Sequence, residues 1–101
     1  MEYKTVTNGS AFEIHIRGRF TFADYPVFRE LLKTVELDAG KSLVFDMNDV
    51  TFVDSSALGM LLIAHEEAKK TGGLIVLRKP QGQVRRTLEV ASMDSLFKIE
   101  T

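Results

Sequence analysis

Apolar and polar residues alternate near the start of the chain in a way that predicts a β-hairpin. Between positions 11 and 18, the apolar residues point to one face of a strand and the polar residues to the other: Phe12, Ile14 and Ile16 against Glu13, His15 and Arg17. A shorter strand is predicted over 3–7. The segment Thr7-Asn8-Gly9-Ser10 lies between the two, and Asn-Gly there indicates a tight hairpin turn, since both residues tolerate positive φ.

Three helices are predicted further along the chain. Asp24 followed by Pro26 marks the first helix start, and Asp38-Ala39-Gly40 marks its end. Its apolar stripe has helical spacing: Phe28, Leu31, Leu32 and Val35. A second helix follows Asp54 and is expected to run to about Lys70, before Thr71-Gly72-Gly73. Pro80-Gln81-Gly82 leads into the third helix, which is expected to place Val84, Leu88 and Ala91 on one face.

The remaining apolar runs predict strands between these helices. Leu43-Val44-Phe45 is unbroken, which is typical of a strand covered on both faces, and 49–53 continues towards the second helix. A second apolar strand is predicted over 74–77, and a short edge strand over 97–99. The order β-β-α-β-α-β-α-(β) predicts an α/β fold, because strands that alternate with helices pair in parallel. We therefore expect a single domain over 1–101, with one mixed sheet and helices mainly on one face.

Length and charge narrow the classes of function. The chain has 101 residues, enough for one modest core, and a formal net charge of −1. That charge argues against a nucleic-acid surface, which needs a clear excess of Lys and Arg. The absence of cysteine excludes disulfides and thiolate chemistry. Because there is neither a run of about 18 apolar residues nor the apolar core of a signal peptide, we expect a cytosolic domain without membrane contact.

The segment Asp54-Ser55-Ser56-Ala57-Leu58-Gly59 carries most of the functional information. It places two hydroxyl groups at a helix N-terminus, where free backbone N–H groups and the helix dipole favour negative charge. A phosphorylated serine there would leave the helix intact, which suggests a switch. Each residue taken singly also has a simpler alternative role. Asp54 or Ser55 could serve as the N-cap of the helix, and Ser56 could be a solvent-exposed serine without a function.

The first half of the second helix has no polar side chain between Ala57 and Ala64. If Leu58, Leu61, Leu62 and His65 form the core stripe, three residues turn outward beside Ser56: Gly59, Met60 and Ile63. This arrangement favours a docking surface for a protein. The alternative is a half-helix that is buried on all sides.

Patterns typical of enzymes and metal sites are absent from the sequence. Neither His15 nor His65 has a second ligand at metal-binding spacing, and no nucleophile elbow, phosphate-binding loop or dinucleotide fingerprint occurs. A carboxylate such as that of Asp54 is a poor base for a serine hydroxyl without an intervening His or Lys. We therefore predict no catalytic residue, no metal and no cofactor.

Three segments together resemble the STAS domains of bacterial anti-sigma factor antagonists. The main one runs from Asp46 to Gly59 (DMNDVTFVDSSALG), and the others are Ile16-Arg-Gly-Arg-Phe20 and Gly72-Gly73-Leu-Ile-Val-Leu77. The resemblance covers nearly the whole chain and implies the STAS fold. It also implies a non-enzymatic partner switch: the unphosphorylated protein binds an anti-sigma factor that is a serine kinase, and phosphorylation releases it. A PP2C-type phosphatase restores the first state.

The resemblance also implies roles for individual residues. Ser56 matches the phosphoacceptor and Asp54 the aspartate beside it, whereas Ala57 replaces a frequent glycine and Thr21 a common acid. The residues expected to flank the phosphosite or contact the partner are Thr21, Asp54, Ser55, Ala57, Gly59, Met60 and Ile63. We expect a monomer. The alternatives are a STAS signalling subunit outside sigma control and a STAS-type accessory for small-ligand or lipid transport.

Overall fold

The computed structural model describes residues 1–35 and 40–101. The strands are β1 (Glu2–Asn8), β2 (Ala11–Phe20), β3 (Ser42–Val53), β4 (Leu74–Arg78) and β5 (Lys98–Glu100). The helices are α1 (Tyr25–Thr34), α2 (Ser55–Thr71) and α3 (Gly82–Val90), with 3₁₀ turns at Phe22–Asp24 and Met93–Ser95. The predicted order of elements is confirmed.

The five strands form one mixed sheet in the order β1-β2-β3-β4-β5. The β1–β2 pair is antiparallel and the other three pairs are parallel. The predicted hairpin is present: Asn8 pairs with Ala11, and Gly9 supplies the positive φ (+62°) that the two-residue turn needs. Asn8 itself keeps a negative φ, so the turn residues are Gly9 and Ser10 rather than Asn8 and Gly9.

The core lies on one face of the sheet. The row Ile14, Phe45 and Leu77 is fully buried and belongs to a single cluster that includes residues of all three helices. The neighbouring row, Glu13, Val44 and Val76, points to the opposite face because side chains alternate along a strand. Val44 and Val76 are buried but lie outside that cluster. The described helices therefore pack on one face, as predicted.

The helix boundaries follow local signals with two differences. Asp24 and Pro26 start α1 as predicted, but α1 ends at Thr34, and the predicted stop at Asp38-Ala39 lies outside the described residues. Gly72 ends α2 as predicted, with a φ of +79°. The prediction that Ala91 packs beside Val84 and Leu88 is wrong: α3 ends at Val90, so Ala91 is its exposed cap.

The two ends of the sheet differ in what they carry. β2, β3 and β4 are parallel and begin at the end that holds the Gly9–Ser10 turn. They finish at the opposite end, where Val53 leads through Asp54 into α2. The Asp54–Gly59 segment therefore lies at the carboxyl ends of the parallel strands.

Candidate functional site

Asp54 starts α2 as its N-cap. Its backbone is extended, and the Ala57 N–H donates to carboxylate oxygen Oδ1 at 2.8 Å. Of the two predicted caps, Asp54 is therefore the one that the structure uses, and Ser55 is the first residue of the helix. Ser56 is the second, and both serines are exposed. A group attached to the Ser56 hydroxyl would lie in solvent beside the first-turn N–H groups.

The second oxygen of the Asp54 carboxylate connects α2 to the turn after β2. Oδ2 accepts the N–H of Phe22 at 3.1 Å. Thr21, the half-buried residue before it, donates its own N–H to the Asp24 carboxylate at 2.8 Å. The structure thus brings Thr21 to the border of the site, adjacent in sequence to the Phe22–Asp54 contact.

A side chain from α3 contacts the end of β3, just before the Asp54–Gly59 segment. The carboxamide of Gln83 accepts the Val53 N–H through Oε1 and donates to the Val53 carbonyl through Nε2, both at 3.2 Å. Gln83 was not among the site residues predicted from the sequence. Its spacing from the serines carries no signal, because the contact depends on where α3 packs against the sheet.

The predicted orientation of α2 is wrong by part of a turn. The helix buries Ala57, Met60, Leu61, Ala64 and Ala68. Leu58 and His65 are only half-buried, and Leu62 is 37% exposed. The predicted stripe favoured large side chains, but three alanines form most of the actual one, which lets α2 approach the sheet closely. Met60 and Ala57 therefore face the core, not a partner.

An exposed apolar surface nevertheless lies beside Ser56. It comprises Phe22 (70% exposed), Tyr25 and Ile63, and we call it the Phe22 surface. Ile63 faces outward, as predicted. Gly59, which was also predicted to face outward, is half-buried. Phe22 and Tyr25 were missed, although two aromatic residues around an N-cap signal at Asp24 could have drawn attention to them. Tyr25 and Ile63 also line a groove of about 360 Å³ between α1 and α2.

A second polar cluster lies on the open face of the sheet, opposite the helices. His15 Nε2 lies 2.8 Å from Glu13 Oε1, and its Nδ1 lies 3.5 Å from Asp46 Oδ2. Arg78 donates to Glu13 at 3.1 Å and to Glu100 at 3.3 Å. The hydrogen bond from His15, aided by Arg78, lowers the pKa of Glu13 although burial acts in the opposite direction.

Two absences concern the described residues only. Over 1–35 and 40–101, no group of three or more His, Asp or Glu residues is arranged to hold a metal ion. This includes His15 and the two carboxylates beside it. None of the helices placed in the structure is both long and apolar enough to cross a membrane.

Comparison with known proteins finds a family model and similar proteins that match most of this chain. Residues 2–101 match the family model of the STAS domain. A STAS-domain containing protein of Pseudomonas aeruginosa is 35% identical over 92 residues, covering 91% of this chain and 90% of that protein. The anti-sigma-B factor antagonist of Bacillus subtilis is 25% identical over 92 residues, covering 91% and 84%.

A similar fold is found among solved structures. The Bacillus cell fate determinant SpoIIAA in its phosphorylated form superposes with a TM-score of 0.73 at 16% identity. The match covers 99% of this chain and 92% of that one. At this identity the match supports the fold and not the function.

Proposed function

Because this chain belongs to the STAS domain family, we propose that it is an anti-sigma factor antagonist that works as a partner switch. Unphosphorylated, it binds an anti-sigma factor that is also a serine kinase. Phosphorylation of Ser56 releases it, and a PP2C-type phosphatase reverses the modification. The protein acts in the cytosol and catalyses no reaction itself.

The observation that carries the proposal is the position of Ser56. It is exposed on the first turn of α2, and Asp54 connects that turn directly to the backbone of Phe22, the most exposed aromatic residue of the Phe22 surface. A kinase can reach the hydroxyl, and the helix end accommodates the added charge. A partner that covers Ser56 together with the Phe22 surface would bury the phosphate.

The electrostatic cost of that burial drives release. Phosphorylation adds about −1.5 to −2 charges at neutral pH, close to the carboxylate of Asp54. An unpaired buried charge costs several kcal/mol, and each 1.4 kcal/mol lowers affinity about tenfold. The family resemblance gives Thr21 in place of a common acid, so we propose that a difference in partner choice from other members would arise at this border of the site.

Mass spectrometry of the protein purified from its native host tests the switch. We expect a species heavier by about 80 Da, one phosphate, mapped to Ser56. Ser56→Ala should abolish it, while the matched variant Ser55→Ala should retain it, because the two exposed serines differ only in their place on the helix. Phosphate on Ser55, or on neither serine under several growth conditions, would contradict the proposal.

Partner binding supplies the second half of the test. Ser56→Ala should fold normally and keep its partner, whereas protein phosphorylated at Ser56 should bind at least about tenfold more weakly. Equal affinity of the two forms would rule out release by phosphate. A co-purifying sigma-binding kinase supports control of a sigma factor, and a phosphatase-linked signalling partner alone would favour a STAS subunit outside sigma control.

The groove between α1 and α2 favours a second candidate, a carrier of small apolar ligands. The apolar residues that line it include Phe28, Leu32 and Ile63. Two basic residues, Arg29 and Lys33, also line it. Native mass spectrometry decides between the two functions. A stoichiometric bound molecule in protein from the native host would support the carrier function, and its absence would leave the groove as part of the docking surface.

A further inference from the structure

The strand that leads to Ser56 loses its sheet neighbour on one side before it ends. β4 pairs with β3 from Leu74 through Arg78, opposite Asp46. After Arg78 the chain turns away at Lys79, which has a φ of +52°, and enters α3. On the other side, β2 stays paired with β3 as far as Val53. The last residues of β3 therefore lack a β4 partner.

Gln83 fills this place at Val53. Within one strand residue, the N–H and C=O point to the same side, so a neighbouring strand would offer both an acceptor and a donor. The Gln83 carboxamide has these two groups and bonds to both backbone atoms of Val53 at 3.2 Å. One side chain thus replaces a peptide unit of the missing strand.

The contact lies one residue before the cap of α2. Val53 is followed by Asp54, whose carboxylate accepts the N–H groups of Ala57 and Phe22. The Asp54 carbonyl accepts the N–H of Leu58 at 3.3 Å. The orientation of the Val53 peptide therefore sets where the Asp54 cap lies, and the cap sets the first turn that carries Ser56.

We propose that Gln83 is a positioning residue of the Ser56 switch, holding the first turn of α2 in place through the backbone of Val53. The inference rests on the proposed function, since it assigns a role in presenting Ser56. It links the switch to α3, an element that contributes no residue to the Phe22 surface.

Amide exchange measured by NMR tests the contact in the unphosphorylated protein. Gln83→Met keeps the length of the side chain and removes both hydrogen bonds. We expect the N–H groups of Ala57 and Leu58 to exchange about tenfold faster, while those of Ala64 and Ala68 in the same helix change less than about threefold. The matched control is Gln81→Met, an exposed neighbour that bonds to the Lys79 carbonyl and to the side chain of Asn48 but not to the backbone of Val53.

A spectroscopic measurement tests the effect on the switch itself. Phosphoserine is incorporated at position 56 during translation, and its ³¹P signal is titrated in the folded protein and in a peptide of residues 51–61. In Gln83→Met, the titration midpoint should move towards that of the peptide by about 0.2 to 0.3 pH unit. The reason is that the N-terminus of α2 is no longer held in place and interacts less with the phosphate. In Gln81→Met it should stay at the wild-type value.

The possible outcomes separate this inference from the proposed function. A uniform increase in exchange along α2, or identical ³¹P titrations for the two variants, would show that Gln83 only stabilises the fold. Neither experiment needs the host kinase, so missing phosphate in the host would overturn the proposed function while the exchange data still decide the role of Gln83. Gln83→Ala repeats the exchange measurement without the added apolar side chain.

Discussion

The carboxylate of Asp54 accepts two backbone N–H groups that belong to different elements. Oδ1 caps α2 through Ala57, and Oδ2 holds Phe22 in the turn after β2. An ionised carboxylate can do this because it has two acceptor oxygens, whereas a carboxamide has only one. The same side chain therefore orients both the phosphosite and the exposed aromatic ring beside it.

Substitutions at position 54 should separate the two contacts. Asp54→Ala removes both and should lower the free energy of unfolding by about 1–3 kcal/mol, the sum expected for a lost cap and a second lost hydrogen bond. Asp54→Asn keeps one acceptor and should fall between the wild type and Asp54→Ala. Urea denaturation measures the series, and equal stability of Asn and Ala would contradict the two-contact description.

At this scale the sequence predicted the near contact and missed the distant ones. The cap at Asp54 follows from a local pattern, an acidic residue before a helical apolar run. The contacts with Phe22 and Gln83 join residues about 30 positions apart. They depend on how the turn after β2 and the start of α3 come to lie beside Val53, which no local pattern determines.

The second helix shows how an element can be predicted correctly and still be oriented wrongly. Its start and its glycine stop follow from local signals, but its buried stripe is built from Ala57, Ala64 and Ala68 around Met60 and Leu61. Alanine has little hydrophobic surface, so a pattern read by side-chain size favours Leu58 and Leu62 instead. Close approach to the sheet, a tertiary requirement, selects the smaller residues.

Two variants on neighbouring turns of α2 test this orientation. Met60 is 2% exposed and Ile63 is 44% exposed. Met60→Ala should lower the free energy of unfolding by about 2–4 kcal/mol, because it leaves a cavity in the core. Ile63→Ala should cost less than about 1 kcal/mol by the same urea measurement. The reverse order would restore the orientation predicted from the sequence.

The whole molecule is an asymmetric two-layer structure, with helices on one face of the sheet and charged side chains on the other. The order of the elements was predictable, because short strands alternating with helices allow few arrangements. The cluster around Glu13 was not. His15 is expected to be an ordinary polar residue of a strand, and only the pairing of β2 with β3 brings Asp46 opposite it. Arg78 reaches Glu13 from β4 in the same way.

The open-face cluster should make the stability of the molecule depend on pH. The pKa of Glu13 is lowered in the folded protein from its ordinary value of 4.5, mainly by the hydrogen bond from His15. Its contribution is therefore present above about pH 4.5 and is lost as the pH falls through the lower folded-state value. Glu13→Gln should lose stability at neutral pH and converge with the wild type in acid.

Urea denaturation over the pH range from about 7 to 3 measures this convergence. His15→Ala, which has no side-chain donor and so removes the main cause of the pKa shift, should reproduce part of the effect, and Glu13→Gln should then add less than it does alone. A constant difference between wild type and Glu13→Gln at every pH would contradict a role for the ionised carboxylate.

The Gly9–Ser10 turn and the Ser56 turn lie at opposite ends of the sheet, so a label can be attached at one end without covering the other. β2 alone spans ten residues between them, about 30 Å of extended chain. Since the sequence has no cysteine, Ser10→Cys would create a single thiol in the exposed turn. A fluorescent dye attached there would leave the Ser56 end uncovered, so the arrival and departure of a labelled partner could be followed by energy transfer in real time.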